Sequence, residues 1–195
     1  MNTTFASGMA RYRGAVTPDA DALAPAPVVA LVGMMGSGKS AVAAVVATRM
    51  GWRLVDLDEV IVANDGRSIP EIFAMEGEPG FRARELAALT AVLDDPGPMV
   101  IATGGGVVTS EAAREVLRRR ATVVWLDAEV SVLAERVGSG DERPMLGADP
   151  RGALEALVDA RRQHYADVAR VVVDSGKGDV AIVAGRVLAA LGVAA

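Results

Sequence analysis

The sequence predicts an α/β fold, a three-layer sandwich in which helices cover both faces of a five-stranded parallel sheet. Two observations predict it. Short runs rich in Val, Leu and Ile alternate with longer amphipathic stretches, and the short runs are predominantly apolar, as expected for strands buried on both faces. The strands are expected at Val28 to Val32, Trp52 to Leu57, Met99 to Thr103, Thr122 to Leu126 and Arg170 to Val173.

The helical intervals carry start signals. Ser68 and Glu71 form an S-x-x-E capping box, and Asp149 followed by Pro150 supplies an N-cap and a first-turn proline. Because strands joined by crossover helices run parallel, their carboxyl ends gather at one edge of the sheet, where ligands bind. The helices are expected at Lys39 to Met50, Glu59 to Asn64, Ser68 to Met75, Pro79 to Leu93, Ser110 to Arg120, Ala128 to Val137, Pro150 to Val168 and Val180 to Leu191.

Composition limits the class of protein. The chain has 195 residues, no Cys and a net charge of -5. The absence of Cys excludes a disulfide framework, a thiolate metal site and a cysteine nucleophile, and it fits a cytoplasmic protein. The acidic balance argues against nucleic acid as a partner, and no apolar run approaches the roughly 20 residues of a membrane span. Small molecules are therefore the expected partners.

The chain divides into two parts of different character. Residues 1–27 mix Ala, Pro, Gly and Thr without sustained periodicity, which predicts a disordered N-terminal tail without the pattern of a secretory signal. Residues 28–195 are expected to form a single domain. Within that domain, a substrate-binding segment is expected at about 59–93 and a lid at about 138–149.

The first predicted strand runs directly into a glycine-rich octet, GMMGSGKS. Its glycines let the backbone approach a polyphosphate closely, so that successive N–H groups point inward beside the positive end of a helix. Lys39 is expected to contact the β- and γ-phosphates, and Ser40 to ligate Mg²⁺. The octet resembles the phosphate-binding loop of the P-loop nucleotide-binding proteins. The expected nucleotide contacts are Gly33, Met34, Met35, Gly36, Ser37, Gly38, Lys39, Ser40 and Ala41.

Polar or glycine clusters follow the next two predicted strands. Asp56 and Asp58 lie two apart, so on an extended segment they would share a face, one near the Mg²⁺ shell and the other bonded to a substrate hydroxyl. The alternative is a pair of helix N-cap acids. After the third strand, three successive glycines at 104–106 indicate a close approach of backbone to ligand rather than a simple turn.

Four arginines are further candidates. Arg82 has Glu85 three residues on, which could orient its guanidinium toward a substrate carboxylate, although this spacing also occurs in surface ion pairs. Arg143 lies in the predicted lid and could reach the transferring phosphoryl group; a solvated loop is the alternative. Arg136 could face a nucleotide base, and Arg161 could be a second anion receptor. His164 is expected at the surface, because phosphoryl transfer needs no imidazole base.

Together these motifs resemble the shikimate kinase family. Four of them occur in the family's order, GMMGSGKS, LVDLD, GRSIPEIFAMEGEPGFRARE and TGGG, and an Arg-Pro pair follows in the lid. The resemblance covers about Val28 to Leu191. It implies a nucleoside-monophosphate-kinase fold with strand order 2-3-1-4-5, and transfer of the γ-phosphoryl group of ATP to the 3-hydroxyl of shikimate. A monomer is the family expectation.

The resemblance also assigns roles to residues. Lys39, Asp58 and Arg143 would be the catalytic residues, and whether Asp58 removes a proton or only orients the hydroxyl stays open. Ser40 would bind Mg²⁺ directly and Asp56 through water, while Arg136 would stack near the adenine. The shikimate pocket would be formed by Asp58, Arg82, Gly104, Gly105, Gly106 and Arg161, with an apolar wall of Ile69, Phe73 and Phe81.

One departure from the family pattern leaves a choice open. The family usually shows Arg-x-Pro-Leu-Tyr after the lid, whereas this chain has Arg161, Arg162, Gln163, His164 and Tyr165. The spacing to Tyr165 selects Arg161, and Arg162 is the alternative. Two other functions also stay open: a related kinase, for instance one acting on gluconate, and a sensor that binds nucleotide or shikimate without turnover.

Overall fold

The computed structural model describes residues 28–137 and 150–193, and within them the chain forms a parallel sheet of five strands and seven helices. The strand order is β2-β3-β1-β4-β5, and every pairing is parallel. The predicted fold class is therefore confirmed. The strands are β1 (Val28–Val32), β2 (Arg53–Asp56), β3 (Met99–Ala102), β4 (Thr122–Asp127) and β5 (Val171–Asp174).

The central strand shows why continuous apolar runs form this sheet. Every residue of β1 is buried. Side chains alternate between the two faces of a strand, so Val28, Ala30 and Val32 join one apolar core, whereas Val29 and Leu31 join the other. A strand covered on both faces has no solvent side, so polar alternation is absent from its sequence.

The helices cover both faces of the sheet. α1 and α7 pack together over one face, with Val46 and Val187 in the same core. α3, α4 and α6 cover the other face, where Leu89, Leu117 and Val158 share the second core. The helices are α1 (Lys39–Met50), α2 (Leu57–Asp65), α3 (Ile69–Asp94), α4 (Glu111–Arg120), α5 (Val130–Val137), α6 (Pro150–Val168) and α7 (Val180–Ala190).

Two local differences from the predicted elements concern the candidate site. The second strand ends at Asp56 instead of Leu57, because the Asp56 side chain caps α2 by accepting a hydrogen bond from the Asp58 N–H. Asp58 therefore lies in the first helical turn and not on an extended segment. A short 3₁₀ turn at Val107–Thr109 follows the glycine triplet and was not predicted.

The third helix is longer than predicted. α3 joins the two expected helices, 68–75 and 79–93, across a kink at Gly77, whose φ of 68° and ψ of -173° are not helical. The predicted capping box is confirmed, since the Ser68 N–H donates to Glu71 Oε2 at 2.7 Å and the Glu71 N–H donates to Ser68 Oγ. The kink leaves both halves helical while changing their direction.

A four-membered ion-pair network spans this kink. Arg84 donates to Glu76 on the other side of Gly77 and to Asp65 at the end of α2, and Arg67 donates to the same two carboxylates. Hydrogen bonds from the two guanidinium groups hold the pKa of Asp65 well below its ordinary value. The network therefore ties the end of α2 to both halves of α3.

Some predictions concern parts of the chain that the structure does not describe. The predicted tail, residues 1–27, and the predicted lid, residues 138–149 with Arg143 and the N-cap Asp149, lie outside the described residues. Among the described helices, none combines the length and the apolar character needed to cross a membrane.

The kink at Gly77 predicts that stability depends on glycine at this position. The conformation of Gly77 is accessible essentially to glycine alone, so Gly77→Ala should lower the free energy of unfolding by about 1 to 3 kcal/mol. The control is Gly185→Ala inside α7, where an added Cβ meets nothing within 4 Å and should stabilise the helix by about 0.5 to 1 kcal/mol. Urea unfolding measures both variants, and equal effects would contradict a strained kink.

Candidate active site

The loop after β1 forms a cradle above the first turn of α1. The Lys39 ammonium folds back over it and donates to the carbonyl oxygens of Gly33, at 2.9 Å, and Met34, at 3.0 Å. The Ser37 hydroxyl is buried and has no hydrogen-bond partner in the described part of the chain. The loop thus combines a lysine ammonium with a helix N-terminus, and this combination is suited to bind a polyphosphate.

Packing also requires glycine in this loop. A Cβ at Gly33 would lie 2.5 Å from the carbonyl oxygen of Leu126 in β4, and one at Gly36 would lie 2.8 Å from that of Leu133 in α5. Both glycines have positive φ, 148° and 80°. The loop is therefore packed closely against the end of β4 and against α5.

Ser40 and Asp56 form a pair of hard oxygen donors beside the loop. Ser40 Oγ donates to Asp56 Oδ2 at 2.7 Å, while Asp56 Oδ1 accepts from the Asp58 N–H at 3.0 Å. Asp56 is thus both an N-cap and the partner of Ser40, so the two interpretations of this acid are compatible. A hydroxyl and a carboxylate suit Mg²⁺, which keeps several waters and takes few protein ligands. Among the described residues, no group of three or more His, Asp or Glu side chains could hold a metal alone.

Arg82 is enclosed by two carboxylates and an aromatic ring. Its Nη1 donates to Glu85 Oε2 at 2.6 Å, and its Nε and Nη2 donate to Glu78 Oε1 at 3.1 and 3.0 Å. The guanidinium carbon lies 5.2 Å from the ring centroid of Phe81, which stacks on Phe73 at 4.6 Å. Ile69 is partly buried against the same core.

Glu85 is a buried carboxylate with an unusual environment. Its side chain is 1% exposed, and its Oε1 has no hydrogen-bond partner within the described ranges. Burial raises the pKa of Glu85 and the negative charge of Asp58 acts in the same direction, whereas the charge of Arg82 opposes both. The charge and the hydrogen bond of Arg82 therefore favour the ionised form of Glu85, whereas burial favours the neutral form.

The glycine triplet brings these groups together. A Cβ at Gly104 would lie 2.7 Å from Glu85 Oε1 and 3.1 Å from Asp58 Oδ1, and one at Gly106 would overlap the guanidinium of Arg82. A Cβ at Gly105 would lie 3.3 Å from the backbone nitrogen of Met35. The triplet thus lies between the phosphate-binding loop and the side chains of Arg82, Glu85 and Asp58, the Arg82 cluster. Only one stretch of backbone separates the two.

α6 contacts the same triplet from the opposite side. Tyr165 Oη donates to the carbonyl oxygen of Gly105 at 2.5 Å, and Arg161 Nη1 points to that oxygen at 3.4 Å. Arg161 is 5% exposed. Burial raises the pKa of Tyr165 above its ordinary value.

Arg161 and Arg162 point to different surroundings. Arg162 Nη1 pairs with Asp127 Oδ2 at 3.3 Å, and its guanidinium lies over the ring of Trp125. Successive residues of a helix point about 100° apart, so only one of the two faces the triplet. Arg161 occupies that place, which supports the choice made from the spacing to Tyr165.

The remaining predicted residues lie at the edges of the site. Arg136 Nη1 donates to the carbonyl oxygens of Ser175, at 2.9 Å, and Gly36, at 3.4 Å, so it lies beside the phosphate-binding loop. Arg143 lies outside the described residues.

An open cleft of about 680 Å³ adjoins the Arg82 cluster. Arg82 and Arg161 both line it, together with His164 and Glu78. His164, expected at the surface, is half-buried and lines this open cleft. Glu78 was missed by sequence reasoning, although its position four residues before Arg82 was a visible signal.

The buried Arg82–Glu85 pair predicts a dependence of stability on pH. Arg82→Ala should raise the pKa of Glu85 further above the ordinary value of 4.5. Because the pKa of Glu85 is raised in the folded state, its contribution to the free energy of unfolding is fully present below pH 4.5. That contribution is lost as pH rises through the folded pKa, by about 1.4 kcal/mol for each pH unit between the unfolded and folded pKa. Urea unfolding from pH 5 to 8 should therefore show a steeper loss for the variant than for the unaltered protein.

Two further variants control this measurement. Arg82→Ala combined with Glu85→Gln should remove the added slope, because no buried carboxylate is left to ionise. Arg118→Ala, which breaks an exposed pair with Glu115, should leave the pH profile unchanged. A steep profile in the double variant would refute the role of Glu85.

Comparisons with known proteins identify the family of this chain. The family model for shikimate kinase matches residues 35–192. A shikimate kinase of Marinomonas sp. (strain MWYL1) is 42% identical over 168 residues, 85% of this chain and 92% of the relative, and that of Symbiobacterium thermophilum is 49% identical over 148 residues, 73% and 83%. The solved shikimate kinase from Acinetobacter baumannii in complex with shikimate superposes with a TM-score of 0.80 at 35% identity, covering 83% of this chain and 90% of that one. The chain belongs to the shikimate kinase family.

Proposed function

We propose that this chain transfers the γ-phosphoryl group of ATP to the 3-hydroxyl of shikimate, giving shikimate 3-phosphate and ADP. The observation that carries the proposal is the position of Gly105. Its backbone lies against Met35 of the phosphate-binding loop, while its carbonyl oxygen faces Arg161 and Tyr165. A receptor for phosphate and a receptor for a carboxylate thus share one segment, as transfer between ATP and a hydroxy acid requires.

The nucleotide would occupy the loop after β1. The backbone N–H groups of the loop and the ammonium of Lys39 would bind the β- and γ-phosphates, and Arg136 would stack near the adenine. The Ser40–Asp56 pair fits Mg²⁺, with Ser40 as a direct ligand and Asp56 acting through water. When bound, the ion neutralises charge on the phosphate oxygens.

Shikimate would occupy the space in front of the glycine triplet. Arg82, oriented by Glu85, and Arg161 would bind its carboxylate, which suits a planar guanidinium. Asp58, beside Gly104, would accept a hydrogen bond from the substrate hydroxyls. The stacked rings of Phe73 and Phe81 would form the apolar wall against the carbocycle.

The residues then have separate tasks in the reaction. Asp58 would accept the proton of the 3-hydroxyl or hold that hydroxyl in line. The oxygen of the 3-hydroxyl would form a bond to the γ-phosphorus as the bond from this phosphorus to the β–γ bridging oxygen of ATP breaks. Lys39 would neutralise the charge that develops on the phosphate oxygens. Arg143 would approach the transferring group from the lid. Such positioning and charge neutralisation supply most of the catalysis in phosphoryl transfer.

The proposal includes two family expectations and sets aside two alternatives. We expect a monomer in the cytoplasm. A gluconate kinase would not require Arg82, Glu85 and the glycine triplet in this arrangement. A sensor without turnover could lose Lys39 or Asp58, which this chain retains.

A coupled assay tests the proposal directly. ATP, Mg²⁺ and a panel of hydroxy acids, including shikimate, quinate and gluconate, should give rapid ADP formation with shikimate alone. Turnover of gluconate in preference to shikimate would establish the related kinase, and binding of shikimate without turnover would establish the sensor.

The role of Lys39 gives one prediction. Lys39→Met should lower kcat about 10²- to 10³-fold, because a charge that neutralises the transferring group is lost, while thermal unfolding stays cooperative. Lys177→Met is the matched control, since Lys177 is exposed and pairs only loosely with Asp174 at 3.4 Å among its described contacts. Near-normal turnover by Lys39→Met, or its failure to fold, would count against the assignment.

The neighbouring arginines of α6 give another prediction. Arg161→Ala should weaken shikimate binding by about 2 to 5 kcal/mol, the cost of leaving a desolvated carboxylate without its partner, and Arg82→Ala should do the same. Arg162→Ala should change shikimate binding little, because Arg162 pairs with Asp127 instead. Calorimetric titration with shikimate and with ATP measures all three, and equal losses for the two ligands would indicate a structural role.

A further inference from the structure

Arg82 contacts two carboxylates that differ sharply in exposure. Its Nε and Nη2 both donate to a single oxygen, Glu78 Oε1, and its Nη1 donates to Glu85. The Glu78 side chain is 48% exposed, whereas that of Glu85 is 1% exposed. The edge of a guanidinium formed by Nε and Nη2 is one of those that bind a carboxylate through two parallel hydrogen bonds.

We propose that Glu78 is a substrate-competing residue: its carboxylate occupies the Nε–Nη2 edge of Arg82 in the free protein, and the carboxylate of shikimate displaces it. This inference rests on the proposed function, because it takes Arg82 to be the receptor of the substrate carboxylate. Glu78 then sets the affinity and selectivity for the acid, since a ligand must compete with it for the same edge.

The two carboxylates differ in their freedom to move. Glu85 lies in the interior beside Gly104, and its release from Arg82 would leave a buried charge without its cation. Glu78 lines the open cleft together with Arg82 and Arg161 and follows directly on the kink at Gly77. Its side chain can therefore turn into solvent and be hydrated there at little cost.

The balance of charge favours displacement over addition. Arg82 already faces two carboxylates, and Asp58 adds a third negative charge near Glu85. Among the described residues, two arginines line this cleft, Arg82 and Arg161, together with the half-buried His164. A substrate carboxylate added to this set would be repelled by Glu78 at close range. Departure of Glu78 removes that repulsion and frees the Nε–Nη2 edge in the same step.

A different role for Glu78 predicts the opposite result. If Glu78 only held Arg82 in place for the substrate, its loss would weaken shikimate binding, because Arg82 would have to be ordered on binding. If Glu78 competes, its loss strengthens binding. The sign of the change in Kd therefore separates the two roles.

The test is calorimetric titration of shikimate into the unaltered protein and into Glu78→Gln, which keeps the shape of the side chain and removes its charge. We expect the Kd of the variant to fall about three- to five-fold, as for the loss of an exposed ion pair. KM for shikimate should fall in parallel, with a smaller change in kcat. The matched control is Glu115→Gln, since Glu115 is 44% exposed and pairs with Arg118 and Arg119 on α4, and its Kd should not move.

Crystal structures without and with saturating shikimate provide a second readout. In the complex, Glu78 should no longer bond to Nε and Nη2 of Arg82, while the Arg82–Glu85 pair should persist. An unchanged or raised Kd for Glu78→Gln, or an intact Glu78–Arg82 pair in the complex, would overturn the proposal. If the unaltered protein neither binds nor phosphorylates shikimate, the proposed function itself fails, so the two failures are distinguishable.

Discussion

The site depends on three consecutive glycines, two of which leave no room for a side chain while the middle one leaves little. Gly104 lies against Asp58 and Glu85, Gly105 lies against the phosphate-binding loop, and Gly106 lies against the guanidinium of Arg82. A methyl group at the first or last position would displace a charged side chain. Because β3 is flanked in the sheet by β1 and β2, the turn that follows it is where groups carried by those two strands come within contact distance.

This close packing restricts the positions of the charged side chains. Arg82 is held by Glu85, which is buried and has its pKa raised by that burial, so each side chain of the pair depends on the other. A guanidinium already oriented loses less conformational freedom when it binds a carboxylate. The arrangement has a cost in stability, since a buried ion pair seldom recovers the full free energy of desolvation. In the proposed function, its benefit is that the substrate carboxylate is recognised at a defined position.

Much of the architecture could be predicted because it depends on local signals. The apolar runs of buried strands, the octet with Lys39 and Ser40, and the Ser68–Glu71 box are all properties of neighbouring residues. The dual role of Asp56 depends instead on its distance from Ser40 in space, and the kink at Gly77 is spanned by ion pairs that join Arg84 to Glu76 and to Asp65. Neither contact is visible in the local hydrophobic pattern, because each joins residues that are distant along the chain.

The choice between Arg161 and Arg162 also depends on contacts in space and not on local signals in the sequence. Helical geometry alone requires that the two side chains diverge, but it does not say which one faces the pocket. Packing decides it: Tyr165, one turn after Arg161, bonds to Gly105 and contacts Met34 of the phosphate-binding loop, while its ring stacks on Trp125. The register of α6 is thus set by a buried aromatic residue that contacts both halves of the site. Since Arg161 lies on the same face as Tyr165, any rotation of α6 that moved Arg161 away from Gly105 would also break the contact of Tyr165 with Met34 of the phosphate-binding loop.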